Sequence, residues 1–325
     1  MRARPPGIDD EEVVATVASH WGIHATNVGY VPEGGGSYHW RIVAADDDTV
    51  FVSVDNLDAK PWLGEDRDAT FDGLAAAFST AARLREAGRE FVVAPIPSSS
   101  GRLLERLSSR YSLAVFPYVD GRAGKWGERM PAHTVTEFAR HLARLHASTP
   151  AVRDSAVRRR LGIPGRGQLD AALDAIGEPW THGPLAEPAR LALAQRATEV
   201  REWLAHYATL AESVRTRDTP WVVTHGEPHP GNTIETPGGL VLIDWDTVAL
   251  APRERDLWMF EDRAPEALAA YLEVAGVELD PAAMELYRLA WTLTDLAAFA
   301  SVLRSPHDVD ADSEKALSAF CSYLT

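Results

Sequence analysis

Lysine is almost missing from this sequence. Of its 32 basic residues only Lys60, Lys125 and Lys315 are lysines, and arginine supplies the rest. Against 47 Asp and Glu the formal net charge is −15. That balance speaks against a nucleic-acid partner, which would need a basic face to neutralise phosphates. An acidic chain attracts cationic small molecules, although the same charge also serves solubility alone. Cysteine occurs once, at Cys321, so neither an internal disulfide nor a cysteine-rich zinc site can form. Cys321 reads as a small apolar filler in a terminal helix. No apolar run approaches the ~20 residues that span a bilayer. The basic start Met1-Arg-Ala-Arg-Pro-Pro-Gly7 has no apolar stretch behind it, unlike a secretory signal. No membrane association is expected, and the expected location is cytoplasmic.

What is present suffices for two sizeable cores: 325 residues, 46% of them hydrophobic. Residues 9–21 read as a helix with acids in its first turn, where the helix dipole favours them. Strand patterns follow at 25–31, 37–44 and 50–54, with Asp46–Asp48 as a turn. A helix is expected over 70–87, stopped by Gly88. Further strands are expected at 91–94, 103–107 and 113–118. Asp120-Gly-Arg-Ala-Gly124 breaks the pattern and marks a lobe boundary. Beyond it helices dominate: 131–147, 185–210 (with Pro188 confined to the first turn) and 281–303. One β island at 221–244 interrupts them. The fold class expected is α+β: a bilobal, protein-kinase-like fold. Residues 1–119 are expected as a β-rich N-lobe and residues 120–325 as a mostly helical C-lobe with an embedded β-hairpin.

The β island carries the chemistry. A short strand, Trp221-Val-Val-Thr224, runs into His225-Gly-Glu-Pro-His-Pro-Gly-Asn232. After a Thr-Pro-Gly-Gly turn the strand Leu240-Val-Leu-Ile243 ends in Asp244-Trp-Asp246. A hairpin of this kind brings Asn232 near Asp244. A carboxylate beside an amide oxygen is a hard-oxygen site that suits Mg²⁺. Glu227 lies five residues before Asn232, the spacing of base and metal-binding Asn in the kinase catalytic loop. Phosphoryl transfer needs that grouping, with a metal to neutralise phosphate charge and a carboxylate to take the proton of the attacking hydroxyl. His225 and His229 share an i, i+4 spacing, but Gly226, Pro228, Pro230 and Gly231 exclude the helix that a zinc pair would require.

These residues resemble the aminoglycoside phosphotransferase family, whose signature is His-Gly-Asp-x-x-x-x-Asn followed by Ile-Asp-Trp. Ala251-Pro-Arg-Glu-Arg-Asp-Leu-Trp258 looks like the continuation in its spectinomycin-kinase-like branch. The resemblance implies ATP (or GTP) and Mg²⁺ as cofactors, with Asn232 and Asp244 on the metal, position 227 as catalytic base, and His225 and Asp256 bracing the loop. It implies a small, hydroxylated acceptor, an aminoglycoside or aminocyclitol antibiotic or an amino-sugar-like metabolite. Asp246, Glu261, Asp262 and Asp295 are the acids that would face a cationic acceptor; Asp246 is alternatively a second metal contact.

Two departures accompany the match. The family's base is aspartate, and here Glu227 is one methylene longer; a displacement of ~1 Å can change a rate on the order of 10²-fold. The nucleotide lysine is not on its strand either, where Ser53 or Val54 falls instead. Lys60 is the only N-lobe lysine, readable as its replacement or as a surface residue, with Arg41 as a weaker candidate. Gly34–Ser37 reads as a phosphate-covering nest, with Gly35, Gly36 and Ser37 as candidates, or as a plain turn. Val115-Phe-Pro-Tyr-Val119 reads as an adenine hinge with Phe116 and Tyr118, or as a buried strand. The departures leave a second expectation open: a weak or inactive pseudokinase that binds a nucleotide or small molecule.

Overall fold

A computed structural model describes residues 4–34 and 36–325, with the side chain of Asp262 left out. In chain order it contains α1 (Asp10–Trp21), β1 (Ala25–Val31), β2 (Ser37–Ala44), β3 (Thr49–Asn56), α2 (Arg67–Glu86), β4 (Glu105–Arg106) and β5 (Tyr111–Pro117). Next come β6 (Arg122–Ala123), α3 (Ala132–Ala147), α4 (Thr149–Val152), α5 (Arg166–Asp174) and α6 (Ala186–Thr216). Then follow β7 (Val222–Thr224), β8 (Thr233–Thr236), β9 (Gly239–Leu242), β10 (Ala249–Ala251), α7 (Trp258–Arg263), α8 (Pro265–Ala275), α9 (Pro281–Arg304) and α10 (Ala311–Tyr323). An antiparallel N-terminal sheet followed by a mainly helical chain is the α+β layout expected from the sequence.

The sheet orders its strands β1-β2-β3-β5-β4. Its register sets two unlike faces. Tyr38, Trp40 and Ile42, with Val50, Val52, Val54, Leu113 and Val115, pack on Val13 and Val17 of α1. Burying each such side chain is worth roughly 1.5–3 kcal/mol. Asp9 caps α1 by accepting from the Glu12 amide at 2.9 Å, and Gly22 ends it in the left-handed conformation. Because side chains alternate along a strand, the other face carries the intervening residues. Ser37, Asp55 and Ser112 lie side by side across β2, β3 and β5, and His39, Ser53 and Ala114 form the next row. Leu74 and Phe78 of α2 cover the Ala114–Phe116 end of that face.

Compact packing divides the chain into two units, Met1–Arg159 with Trp221–Glu278 and Arg160–Pro220 with Leu279–Thr325. The sheet and the chemical island both belong to the first. In the second, α6 and α9 pack with α5 and α10. There the Tyr323 hydroxyl donates to Asp295 at 2.5 Å and accepts from the Trp291 indole at 3.0 Å, tying α10 to α9. Among the described residues no helix is long and apolar enough to cross a membrane.

Several expected elements differ in form. Residues 91–94 are not a strand: Phe91 and Val93 exchange hydrogen bonds with Leu242, leaving only the single bridge Val92–Leu242. The apolar run is satisfied by β9 rather than by a sheet of its own. The strand expected at 103–107 shrinks to the two residues of β4. The Asp120–Gly124 break holds the short strand β6, which pairs with β8. A Cβ on Gly124 would come within 2.1 Å of the Pro230 carbonyl, so a glycine is needed where this segment crosses the loop.

Candidate active site

The site is built on the β8–β9 hairpin. Thr233 pairs with Leu242, and the Ile243 amide donates to the Asn232 carbonyl at 3.0 Å. The ladder therefore runs to the hairpin's open end, with Asn232 and Asp244 on either side. Asp244 sits at φ 65°, ψ 64°, in the left-handed region that Asp tolerates better than most residues. That conformation turns the chain out of β9 into a 3₁₀ turn over Trp245–Thr247.

The loop before the hairpin is held from below by Asp256. Its carboxylate accepts from the His225 and Gly226 amides, both at 2.7 Å, and lies 3.1 Å from His146 Nε2. His146 Nδ1 reaches the Tyr271 hydroxyl at 2.6 Å. Burial alone would raise the Asp256 pKa, but the His146 hydrogen bond and the charges of His146 and Arg255 hold it below the ordinary carboxylate value. His225 is buried, which lowers its pKa. Its Nε2 faces the Ile243 carbonyl at 2.9 Å and its Nδ1 accepts from the Glu227 amide at 3.3 Å. This pattern fixes a neutral ring with the proton on Nε2. Gly226 has φ +101°, and a Cβ there would meet the Arg255 guanidinium at 2.1 Å. Arg255 in turn donates to Thr224 Oγ1 and to the Thr247 carbonyl, each at 2.9 Å. His225 and Asp256 thus hydrogen-bond to the backbone at this loop, and His146 and Arg255 contact the same segment.

Above the brace, Glu227 is half-buried. Its carbonyl accepts from the His229 amide at 2.9 Å and from Asn232 Nδ2 at 3.0 Å. The Asn232 side-chain nitrogen is thus engaged by the loop. Asp244 is exposed as a residue, yet its carboxyl pKa is raised well above the ordinary value. Protein packed around it raises it first, then the negative charge of Asp246, with Lys60 opposing and Glu227 and Asp55 adding to the rise. Since water reaches the residue, it offsets part of the crowding, and the like charges carry the direction. Among the described residues no group of three or more His, Cys, Asp or Glu side chains is placed to hold a metal ion. One carboxylate and one amide oxygen fit the other kind of site. There a Mg²⁺ ion keeps water and takes its remaining ligands from phosphates, and added positive charge is what the crowded Asp244 lacks.

Lys60 lies at the same place. It is 2% exposed, so it is not a surface lysine. Its Nζ is 2.5 Å from Asp246 Oδ2 and 3.0 Å from Asp55 Oδ1, and the Trp62 ring lies 5.5 Å away. Burial would lower its pKa, but Asp246, Asp55 and Asp244 raise it above the ordinary lysine value. Asp246, expected as an exposed or substrate-facing acid, is instead buried at 7% exposure and paired with Lys60. The pairing satisfies both charges.

Other expected site residues distribute differently. Gly35 lies outside the described residues. Gly36 has φ +86°, and Ser37 Oγ donates to Asp55 Oδ1 at 2.5 Å. Phe116 packs edge-on against Phe78 with ring centres 5.5 Å apart, so its ring serves the α2 contact. Tyr118 is exposed, with the Arg41 guanidinium over its ring. Glu261 is an exposed residue of α7, and the side chain of Asp262 lies outside the described residues. Asp295 belongs to the second unit and is held by Tyr323; burial raises its pKa. Sequence reasoning passed over Asp55, His146 and Arg255. Asp55 left a signal, an acid closing an otherwise apolar strand. His146 left a weaker one, a polar residue on the apolar side of α3.

A family model described as "Phosphotransferase enzyme family" matches residues 42–308. Protein StrN of Streptomyces griseus is 30% identical over 276 residues, covering 81% of this chain and 80% of StrN. Among solved structures, a spectinomycin phosphotransferase in complex with ADP and spectinomycin aligns with a TM-score of 0.77 at 15% identity, over 97% of this chain and 94% of that one. A microcompartment-associated aminopropanol kinase aligns at 0.63 and 14% identity, over 97% and 95%. An amicoumacin kinase in complex with AMP-PNP and Ca²⁺ aligns at 0.61 and 14% identity, over 98% and 93%. At such identities these three structures share the fold.

Proposed function

The chain belongs to the phosphotransferase enzyme family, and from that premise we propose that it moves the terminal phosphoryl group of ATP or GTP to a hydroxyl of a small, amine-bearing molecule. The observation that carries this reading is a convergence. Lys60, Asp244 and Asp246 are joined by ion pairing and charge, while Asn232 and Glu227 share a hydrogen bond. Glu227 also acts on the charge of Asp244. No single motif requires all of these to meet.

In this reading residues 1–119 bind the nucleotide, and residues 120–325 supply catalysis and the acceptor pocket. Lys60 holds phosphate oxygens in place of the strand lysine. Asn232 Oδ1 and Asp244 would hold Mg²⁺, which when bound neutralises phosphate charge. Glu227 orients the acceptor hydroxyl and takes its proton. His225 stays neutral and fixes the loop. Relatives of the same fold that carry spectinomycin, aminopropanol and amicoumacin in their names support an amine-bearing acceptor, as does the net charge of −15.

The test is phosphoryl transfer from ATP and from GTP across aminoglycosides, aminocyclitols, amino sugars and amino alcohols, with Glu227→Gln as control. Transfer that requires Glu227 and Mg²⁺ supports the proposal. Nucleotide binding without transfer to any acceptor favours a pseudokinase, a reading supported by Glu227 in place of aspartate and by the two carboxylates already on Lys60. No response to either nucleotide sinks the leading reading.

A further inference from the structure

In protein kinases the phosphate-binding lysine stands on the third strand, and the acid that orients it comes from the following helix. Here the two sides are exchanged. The lysine lies past the end of β3, in the segment leading to α2, and an acid stands on β3 itself. Three acids around the start of α2 are otherwise engaged. Asp66 caps the helix by accepting from the Ala69 amide at 2.8 Å. Asp68 pairs with Arg106 at 2.5 Å, and Asp58 with Arg67 at 2.6 Å.

Asp55 is placed to hold a lysine still. It is 2% exposed and stands on a strand paired on both sides, opposite Ser37 of β2 and Ser112 of β5. Its Oδ1 takes both the Ser37 hydroxyl at 2.5 Å and Lys60 Nζ at 3.0 Å. Its Oδ2 is buried with no hydrogen-bond partner. A buried carboxylate oxygen left without a donor is expensive, so bulk stability is a poor reason for this arrangement. The second acid on Lys60, Asp246, sits on a single 3₁₀ turn two residues after Asp244. Its Oδ2 already takes Lys60 Nζ at 2.5 Å.

We propose that Asp55 is the positioning residue of Lys60, taking over from the strand the task that kinases give to a helix acid, and that Ser37 orients it from the end of the glycine turn. This rests on reading Lys60 as the nucleotide lysine. When a triphosphate arrives, Asp246 yields Lys60 and Asp55 keeps it. The Ser37–Asp55–Lys60 chain then links the turn over the phosphates to the charge that binds them.

The experiment is calorimetric titration of the full chain with Mg-ATP, Mg-GTP and adenosine, for wild type, Lys60→Ala, Asp55→Asn, Asp55→Glu, Ser37→Ala and the Asp55→Asn/Lys60→Ala double variant. Asp55→Asn is expected to weaken triphosphate binding about tenfold, the size of one charge-assisted contact, and to leave adenosine binding unchanged. Asp55→Glu recovers part of the loss. Ser37→Ala weakens it about threefold. The double variant is no weaker than Lys60→Ala, because the two residues act as one. A folded Asp55→Asn with wild-type triphosphate affinity, beside a weakened Lys60→Ala, overturns the role of Asp55 and leaves that of Lys60 intact. Additive losses, or an equal loss for adenosine, also overturn it. Should Asp55→Asn fail to fold, Ser37→Ala decides, and wild-type affinity there overturns the proposal. A Lys60→Ala variant that binds like wild type, or a wild type that binds neither triphosphate, removes the reading of Lys60 and this inference with it.

Discussion

Asp244 and Asp256 lie twelve residues apart in one segment and are opposites. Asp256 receives two backbone amides and His146, and its pKa is held down despite burial. Asp244 keeps an open side, stands among Asp246, Glu227 and Asp55, and its pKa is pushed up. A carboxylate whose oxygens are all matched by donors is scaffold, because removing it strands the donors. A carboxylate left among like charges stabilises nothing by itself and becomes useful when a cation arrives. The same contrast separates the two regions they belong to: a closed brace beneath the 225–232 loop, and an open charge cluster above it.

The largest expected effect lies on the open side. Asp244→Ala should lower phosphoryl transfer on the order of 10⁴-fold, about 5.5 kcal/mol of transition-state stabilisation, while the melting temperature holds or rises as like charges are removed. Steady-state kinetics beside a thermal melt check both halves, and a lower melting temperature would break the contrast. Asp256→Ala should do the reverse, costing about 3–5 kcal/mol of folding stability because it uncovers buried donors and His146. Denaturant unfolding measures that directly, and a loss under 1 kcal/mol would make Asp256 ordinary. Glu227→Gln should reduce transfer on the order of 10²-fold, about 2.7 kcal/mol, with unfolding unchanged.

A further effect is in pH. Burial, the first cause for both, pushes His39 and His229 down to about 4, against about 6.5 in an unfolded chain. Below pH 6.5 the unfolded chain takes up protons that these rings refuse, so folding stability falls with pH until about 4, by roughly 3 kcal/mol for each ring at the lower end. Asp256, with its lowered pKa, stays charged through that window, so the brace should fail only at more acidic pH. Melting temperatures between pH 7 and 3 test this, and His229→Asn should flatten the upper part of the curve.

Much of the fold could be read from local pattern. β1 and β2 fall where alternation and the Pro32–Gly36 turn place them, and α3 and α9 end within a residue of expectation. The strand expected at 91–94 did not form, because its apolar residues find their partner in Leu242, about 150 positions away. The helices α5 and α8 went unread in the sequence, and α10 was read only as a terminal helix around Cys321, although it opens with a capping box on Asp310 and Ser313. In the site, Asn232 and Asp244 were visible because one hairpin fixes them, and Glu227 because it stands five residues before Asn232; both are local spacings.

By itself, then, the sequence determined the hairpin, its Asn and Asp at the open end, and the glutamate five residues upstream, since short-range spacing and turn chemistry dictate all three. Only the tertiary structure decided the partners of the charges. Lys60 meets Asp246 across 186 positions, and Asp256 reaches back about 30 to the loop it braces. Neither pairing leaves a periodic trace in the chain, because a buried charge is assigned its partner by the packing that excludes water from it, not by its neighbours in sequence.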